Sequence, residues 1–298
     1  MTVPNVGMPP AATAAVGDAP RRRRRVTRQR PNVVAGLFAA LWFLLVAVPL
    51  YYLVSSSLRR RSDYLAESPL SIPDAPTLEN YRTVLEGGFG RYLFNNIVVT
   101  GGTVALVVAL ALPAAYAVAR SASPFVQRGF SMLLIGLAIP AQATIIPVYL
   151  MITQLRLYDT LLAIILPTAA FALPVATLVL TNSLRDVPRE LYEAQAVDGA
   201  GPFRVLVSLV LPLARPAVVT VSVFTALTAW NGFLFPLVLT QSQSTRVLTL
   251  GLWNFQGQFG TNVPGLLAAV TLSVLPIFAV YLLGRRFLLG GLTAGFGK

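Results

Sequence analysis

The chain has 298 residues, is 55% apolar and only 11% charged, and carries a formal net charge of +12 with a mean hydropathy of +0.70. A soluble domain carries about 25% charged residues, so this composition excludes an ordinary water-soluble globule and predicts an integral membrane protein. Cys and His are absent and the only Lys is residue 298, which excludes disulfides, thiolate or imidazole metal sites, His-based catalysis and a GxxxxGK[ST] nucleotide-binding loop.

Residues 1–30 are aperiodic Ala, Pro, Gly and Val followed by RRRRRVTRQR. They are predicted to form a disordered basic tail, held on the cytoplasmic side by its charge. A secretory signal peptide does not fit, because the apolar run that follows is too long and no A-x-A site ends it. Membrane topology, rather than nucleic-acid binding, accounts for the positive charge. Residues 32–57 contain no charge and suffice to cross a hydrocarbon core of about 30 Å. Residues 58–92 are polar, contain Pro73 and Pro76, and read as an external loop. Further spans are predicted at 95–119, 130–155, 160–184, 216–241 and 264–283. A short turn lies at 120–128, a polar loop at 242–263, and a Gly-rich tail at the end.

Six spans put both termini on one side. With that side cytoplasmic, 16 basic residues lie inside and 7 outside, in agreement with the positive-inside rule. The Arg59–Arg61 run just beyond the first span is the exception.

None of the six spans contains Asp, Glu, Lys or Arg. Ion-coupled carriers and pumps place such groups in the membrane despite their cost, so proton coupling within this chain is disfavoured. An ion-coupled secondary carrier stays open only through backbone ligands at broken helices. What the spans do contain is proline, including Pro113, Pro167, Pro174 and Pro276, each after a Leu. Interior prolines bend helices, either as simple curvature or around a pathway. Trp230 and Asn231 interrupt the fifth span, and Gln142 and Tyr149 lie two turns apart on the third. All four are candidates to line a pathway. The competing readings are an interfacial Trp belt and hydrogen bonds between helices.

Residues 188–212, PRELYEAQAVDGAGPFRVLVSLVLP, separate two apolar runs. With Asp186 they hold four of the eleven acidic residues: Asp186, Glu190, Glu193 and Asp198. Pro188 suits a helix start and Glu190 and Glu193 suit its first turns. Leu191, Ala194 and Val197 share one side at helical spacing. Gly199 and Gly201 are predicted to end the helix. Small residues from Ala194 to Gly201 let another surface approach closely. A lipid-facing amphipathic helix would present Lys and Arg instead.

The string EAQAVDGAGPFRVLVSLVLP resembles the EAA loop of permease subunits of ATP-binding-cassette importers: EAA, three residues, Gly, nine residues, Ile-x-Leu-Pro. Glu193, Ala194, Gly199, Leu211 and Pro212 fall on that spacing, with Leu209 in the Ile position. Two positions depart, Gln195 for Ala and Gly201 for a small hydroxyl residue. PTLENY at 76–81, RYLFNN at 91–96, AWNGFLFPL at 229–237 and the C-terminal RRFLLGGLTAGFGK are similar to the carbohydrate branch, in particular the maltose-type second permease. The resemblance implies an all-α integral membrane protein of six transmembrane helices with the type I importer permease fold. It implies a bacterial cytoplasmic-membrane location, with residues 31–298 as the permease domain and 188–212 as a cytoplasmic coupling loop. No catalytic, metal or cofactor site is expected in this chain, and ATP and Mg²⁺ belong to partner ATPase subunits. The implied partners are a second permease in a heterodimer, two ATP-binding subunits, an extracytoplasmic solute-binding protein and the lipid bilayer, with no nucleic acid. Glu193, Ala194, Gln195, Asp198, Gly199, Ala200, Leu211 and Pro212 would then form the coupling surface. Residues 242–263 would probe the binding protein and 291–298 would reach toward the ATPases. The cargo would be a sugar or oligosaccharide, with a polyol phosphate or polyamine as the alternative.

Overall fold

The computed structural model describes residues 32–257 and 260–294; the predicted basic tail and residues 295–298 lie outside them. Helix α1, Val33–Ser57, coincides with the first predicted span. Helices α2, Glu79–Val84, and α3, Gly90–Arg120, are joined by a wide helical turn at Leu85–Phe89 where Gly88 takes φ +91°. The predicted external loop is therefore shorter than expected and ends at residue 78. Thr77 starts the helix, its Oγ1 accepting the Glu79 N–H at 3.2 Å. The Gly-rich LEGGFG, read as loop, serves instead to bend a continuing helix, because Gly carries no Cβ to resist a positive φ.

Helices α4, Pro124–Ile135, and α5, Ile145–Gln154, replace the single third span. The two halves, each extended by a short 3₁₀ turn, meet at 98°. Pro140 has no N–H for the Gly136 carbonyl, and it forces Ile139 into extended backbone at φ −88°, ψ 113°. Helix α6 follows at Leu161–Arg185, α7 at Arg189–Val197, α8 at Pro202–Leu213 and α9 at Arg215–Trp230. Helix α10, Leu234–Leu239, resumes after the predicted interruption at Trp230–Gly232. The predicted polar loop beyond it contains helix α11, Leu248–Gly251, whose Leu248 and Leu250 are buried. It also contains a hairpin of two-residue strands, β1 Gln256–Gly257 and β2 Gly260–Thr261, with Gln256 opposite Thr261. Helix α12 runs from Val263 to Ala294, further than the predicted 283.

Buried contacts set the relative directions of the helices. Near its start α3 packs Val99 against Ile164 and Ile165 of early α6, and near its end Val107, Ala111 and Ala115 meet Ala172, Ala176 and Leu180 of late α6. Helices α3 and α6 are therefore parallel, and the bent α4–α5 segment lies on the stretch that returns the chain to the end where α3 began. Val221 of early α9 joins the cluster at the end of α6, whereas Trp230 packs with Phe89 and Tyr92 at the start of α3. Helix α9 thus crosses back, and α12 leaves from the Trp230 end through Ala268 and Ala269. With α1, and with each bent pair taken as one span, the described residues hold six candidate membrane spans. The α3–α6 seam is rich in Ala, and a Cβ on Gly102 would sit 2.9 Å from Ile165 Cδ1. Small residues of this kind let helices associate closely where lipid supplies no hydrophobic drive.

The end away from α7 is held by polar side chains. Arg59, one of the three arginines that break the positive-inside pattern, is almost fully buried. Its Nη2 donates to the Ser71 carbonyl at 2.7 Å, and its Nε lies 3.4 Å from Glu67. It is a structural bolt closing residues 58–78, so only Arg60 and Arg61 of that run face outward. Asp159, in the left-handed region at φ 59°, accepts on Oδ1 the N–H of Gln241, the N–H of Ser242 and the Thr245 hydroxyl at 2.9, 3.0 and 2.7 Å. Asn95 of α3 donates to the carbonyls of Ser244 and Arg246 at 2.8 and 2.9 Å.

Candidate coupling site

At the other end the 188–212 stretch forms two short helices around a tight turn. Pro188 precedes α7 with φ −54°, ψ 139°, and Glu190 lies in the first turn. The C-terminus closes on Gly199, at φ +71°. The Gly199 N–H donates to the Ala196 carbonyl at 3.1 Å and the Ala200 N–H to the Gln195 carbonyl at 3.0 Å. This paired pattern uses carbonyls a helix end would leave unbonded, and it needs a residue without Cβ strain at the left-handed position. Gly201, at φ −69°, ψ 164°, is extended and starts α8 with Pro202 behind it. Gly199 therefore makes the turn and Gly201 serves the next helix.

Helix α7 has two faces. Tyr192 and Gln195, one turn apart, are half-buried toward the bundle, while Leu191, Glu193, Ala194, Val197 and Asp198 are exposed. Val197 is 88% exposed, and Phe203 beyond the turn 78%. The apolar row foreseen at Leu191, Ala194 and Val197 is thus the outer face. Gln195, the departure from the EAA pattern, lies on the inner one. Glu193 meets Arg189 at 3.3 Å, with both side chains largely exposed. Such a pair contributes under about 1 kcal/mol, so Glu193 keeps its charge available to another surface. Ala200 packs on the cluster shared by α3 and α6.

Helix α8 meets α9 at 79°. Ala214 at the joint is fully buried, with Leu211 and Pro212 exposed beside it. Pro216 lacks the N–H that would bond the Pro212 carbonyl, which lets the helix turn there. The stretch is fastened to the bundle through Val205, Val210 and Ala214, buried against α3 and α6.

Among the described residues no hydrogen bond or ring contact joins the four candidate pathway residues to one another. Trp230 is buried, packed with Phe89 and Tyr92, and its Nε1 donates to the Ser273 carbonyl at 3.2 Å. Asn231 is exposed and its Nδ2 donates to the Leu227 carbonyl at 2.8 Å. Gln142 is exposed just past the α4–α5 bend, and Tyr149 makes an edge contact with Tyr158 at 5.6 Å. A cleft of about 190 Å³ opens at that bend, lined by Gly136, Ile139, Thr144, Ala170, Phe171 and Pro174. Among the described residues no group of three or more Asp or Glu gathers to hold a metal.

Sequence reasoning missed the groups that hold the loops, namely Arg59, Asn95 and Asp159, and the contacts of Tyr192 with α3. The signal in the sequence was faint. RYLFNN stood out as a string without revealing that Asn95 binds carbonyls 149 and 151 residues away.

Comparisons with known proteins agree with this arrangement. Residues 109–289 match the family described as binding-protein-dependent transport system inner membrane component. An ABC transporter permease protein, ORF2, of a Caldicellulosiruptor species is 37% identical over 262 residues, covering 88% of this chain and 95% of its own. The diacetylchitobiose uptake system permease protein NgcG of Streptomyces coelicolor is 32% identical over 258 residues, covering 86% of this chain and 85% of its own. A chain in the crystal structure of a bacterial ABC transporter involved in the import of the acidic polysaccharide alginate superposes with a TM-score of 0.76 at 21% identity, covering 85% of this chain and 95% of that one. With up to six candidate spans, the α7 turn and these matches across most of its length, the chain belongs to the inner-membrane permease components of binding-protein-dependent transport systems and has the type I ABC importer permease fold.

Proposed function

We propose that this chain is one of two permease subunits in an ATP-driven importer of sugars or oligosaccharides, and that the outer face of α7 docks on a soluble ATPase. The observation that carries the reading is the two-faced α7: Glu193, Ala194 and Val197 exposed on a helix whose other side is anchored. A chain without Asp, Glu, Lys or Arg in its predicted spans and without a P-loop has no evident energy source of its own. Work must then enter from outside, and α7 is a rigid acidic projection suited to receive it. In this reading Gln195, Gly199 and Ala200 set the projection's angle, and Leu211 and Pro212 flank the joint that moves.

The α7 end is cytoplasmic, as are both termini, and the membrane is the bacterial plasma membrane. Two ATP-binding subunits hold the ATP and Mg²⁺. A second permease completes a heterodimeric pathway, and an extracytoplasmic solute-binding protein delivers cargo at the 241–262 end. The name of NgcG supports a carbohydrate cargo. Asn231, Gln142 and Tyr149 are exposed and polar and would be available to line the pathway, whereas Trp230 is buried and would act by supporting Asn231.

The test is charge reversal in the complex reconstituted in liposomes. Glu193→Arg is expected to lower ATP-driven uptake by about tenfold, the equivalent of one lost charge-assisted contact. Helix content and recovery of the permease should not change. Import at the normal rate would remove the docking role of Glu193. Titrating the cognate binding protein with a sugar panel tests the cargo class, and binding of polyamines or polyol phosphates alone would overturn it.

A further inference from the structure

Helix α7 reaches its own bundle through one aromatic ring. Tyr192 lies nearly parallel to Tyr116 of α3, with ring centroids 5.9 Å apart and planes 14° apart. One turn further along α3, Arg120 places its Cζ 3.4 Å from the Tyr192 ring centroid. The same guanidinium donates from Nη2 to the Val187 carbonyl at 3.1 Å, immediately before α7. Arg120 thus holds the segment both before α7 and within it. The Tyr192 hydroxyl and Arg120 Nε are buried without hydrogen-bond partners, so ring and cation contact, not the hydroxyl, joins the two helices. Half-buried cation–π contacts are stronger than exposed ones because water competes less.

Helix α3 continues from this contact along its seam with α6 to the other end of the bundle. There Asn95 holds the Ser244 and Arg246 carbonyls. From Asn95 to Arg120 a helix spans about 37 Å, so one element touches both the docking helix and the loop at the opposite end.

We propose that Arg120 is a positioning residue that clamps α7 to α3 through Tyr192, making α3 the rod that carries movement of α7 to the 241–247 loop. The proposal rests on the reading of α7 as the docking helix. Without the clamp, the segment around Val187 would flex and a push on α7 would be dissipated there.

The experiment uses the reconstituted complex with its ATPase and binding protein. Arg120→Ala is expected to lower substrate imported per ATP hydrolysed by about fivefold to tenfold, the range set by one desolvated cation–π contact, with assembly of the complex unchanged. Tyr192→Leu, which stays apolar but loses the ring face, gives the same loss should Arg120→Ala assemble poorly. Arg120→Lys does not restore coupling, since an ammonium cannot stack flat and bond the carbonyl together. Tyr192→Phe restores it relative to Tyr192→Leu. Because the chain has no Cys, a nitroxide on Ala196→Cys reports α7 directly, and its spectrum should show faster motion in the Arg120→Ala background. Normal uptake per ATP with an unchanged spectrum overturns the clamp. If Glu193→Arg lowers uptake while Arg120→Ala leaves substrate imported per ATP unchanged, docking stands and the clamp falls. If Glu193→Arg transports normally, docking fails, and the clamp is then judged by the spectrum, where unchanged mobility sinks it.

Discussion

Asp159 illustrates how much one side chain does without any visible signature. Burial by itself pushes its carboxyl pKa up, but the Thr245 hydroxyl and the Gln241 and Ser242 amides outweigh that and hold it at about 2. An unfolded Asp titrates at about 3.9. The folded value is the lower one, so the tie stabilises the protein above about pH 4 and is lost as the pH falls through about 2. Asp159→Asn keeps an acceptor and tolerates the left-handed backbone but removes the charge. It is expected to cost about 1 kcal/mol near neutral pH. Thermal unfolding in detergent should show that deficit narrowing as the pH is taken from about 7 to about 3; a deficit independent of pH would argue against a charged clasp. The sequence offered no hint of this role, because the partners lie 82 to 86 residues away. Glu193, Gly199 and Pro212 were legible for the opposite reason: their spacing is local and set by one helix and one turn.

Among elements, close approach of backbone is the most exacting demand. A Cβ on Gly251 of α11 would lie 2.5 Å from Tyr92 Cδ2, whereas one on Gly101 of α3 would meet nothing within 4 Å. Gly251→Ala is expected to destabilise the fold by about 1–3 kcal/mol, and Gly101→Ala to be neutral or slightly stabilising through helix propensity. Comparing the two melting temperatures checks this, and equal values would mean that α11 does not seat on Tyr92. Elements with strong periodicity or no charge, such as α1 and α6, were readable to within a residue or two. The third span was not. Pro140 was visible, but whether a proline curves a helix or divides it depends on tertiary packing that the local sequence does not show; here the helix divides, at 98°. The α7 helix was foreseen with its apolar row, yet which side faced inward was settled by Tyr192 meeting Tyr116, a contact 76 residues apart in sequence.

For the molecule as a whole, orientation is the property that composition predicts most directly. Only Arg60 and Arg61 remain as exposed cations of the run that opposes it, since Arg59 is consumed inside the fold. With no native Cys, single cysteines give a clean assay. A membrane-impermeant maleimide should label Gln243→Cys in intact cells and Ala196→Cys only after permeabilisation. The reverse pattern would invert the topology.

The 98° break between α4 and α5 bears on how the subunit survives before it is assembled. Ile139 is 47% exposed there, and Pro140 and Gln142 are exposed beside it. Non-helical backbone at membrane depth is tolerated against protein or water but not against acyl chains. A newly inserted chain standing alone in lipid carries that defect uncovered. In the proposed assembly with a second permease the bend would be covered, so its exposure would mark an unassembled subunit and give cellular quality control a physical basis for removing copies made in excess.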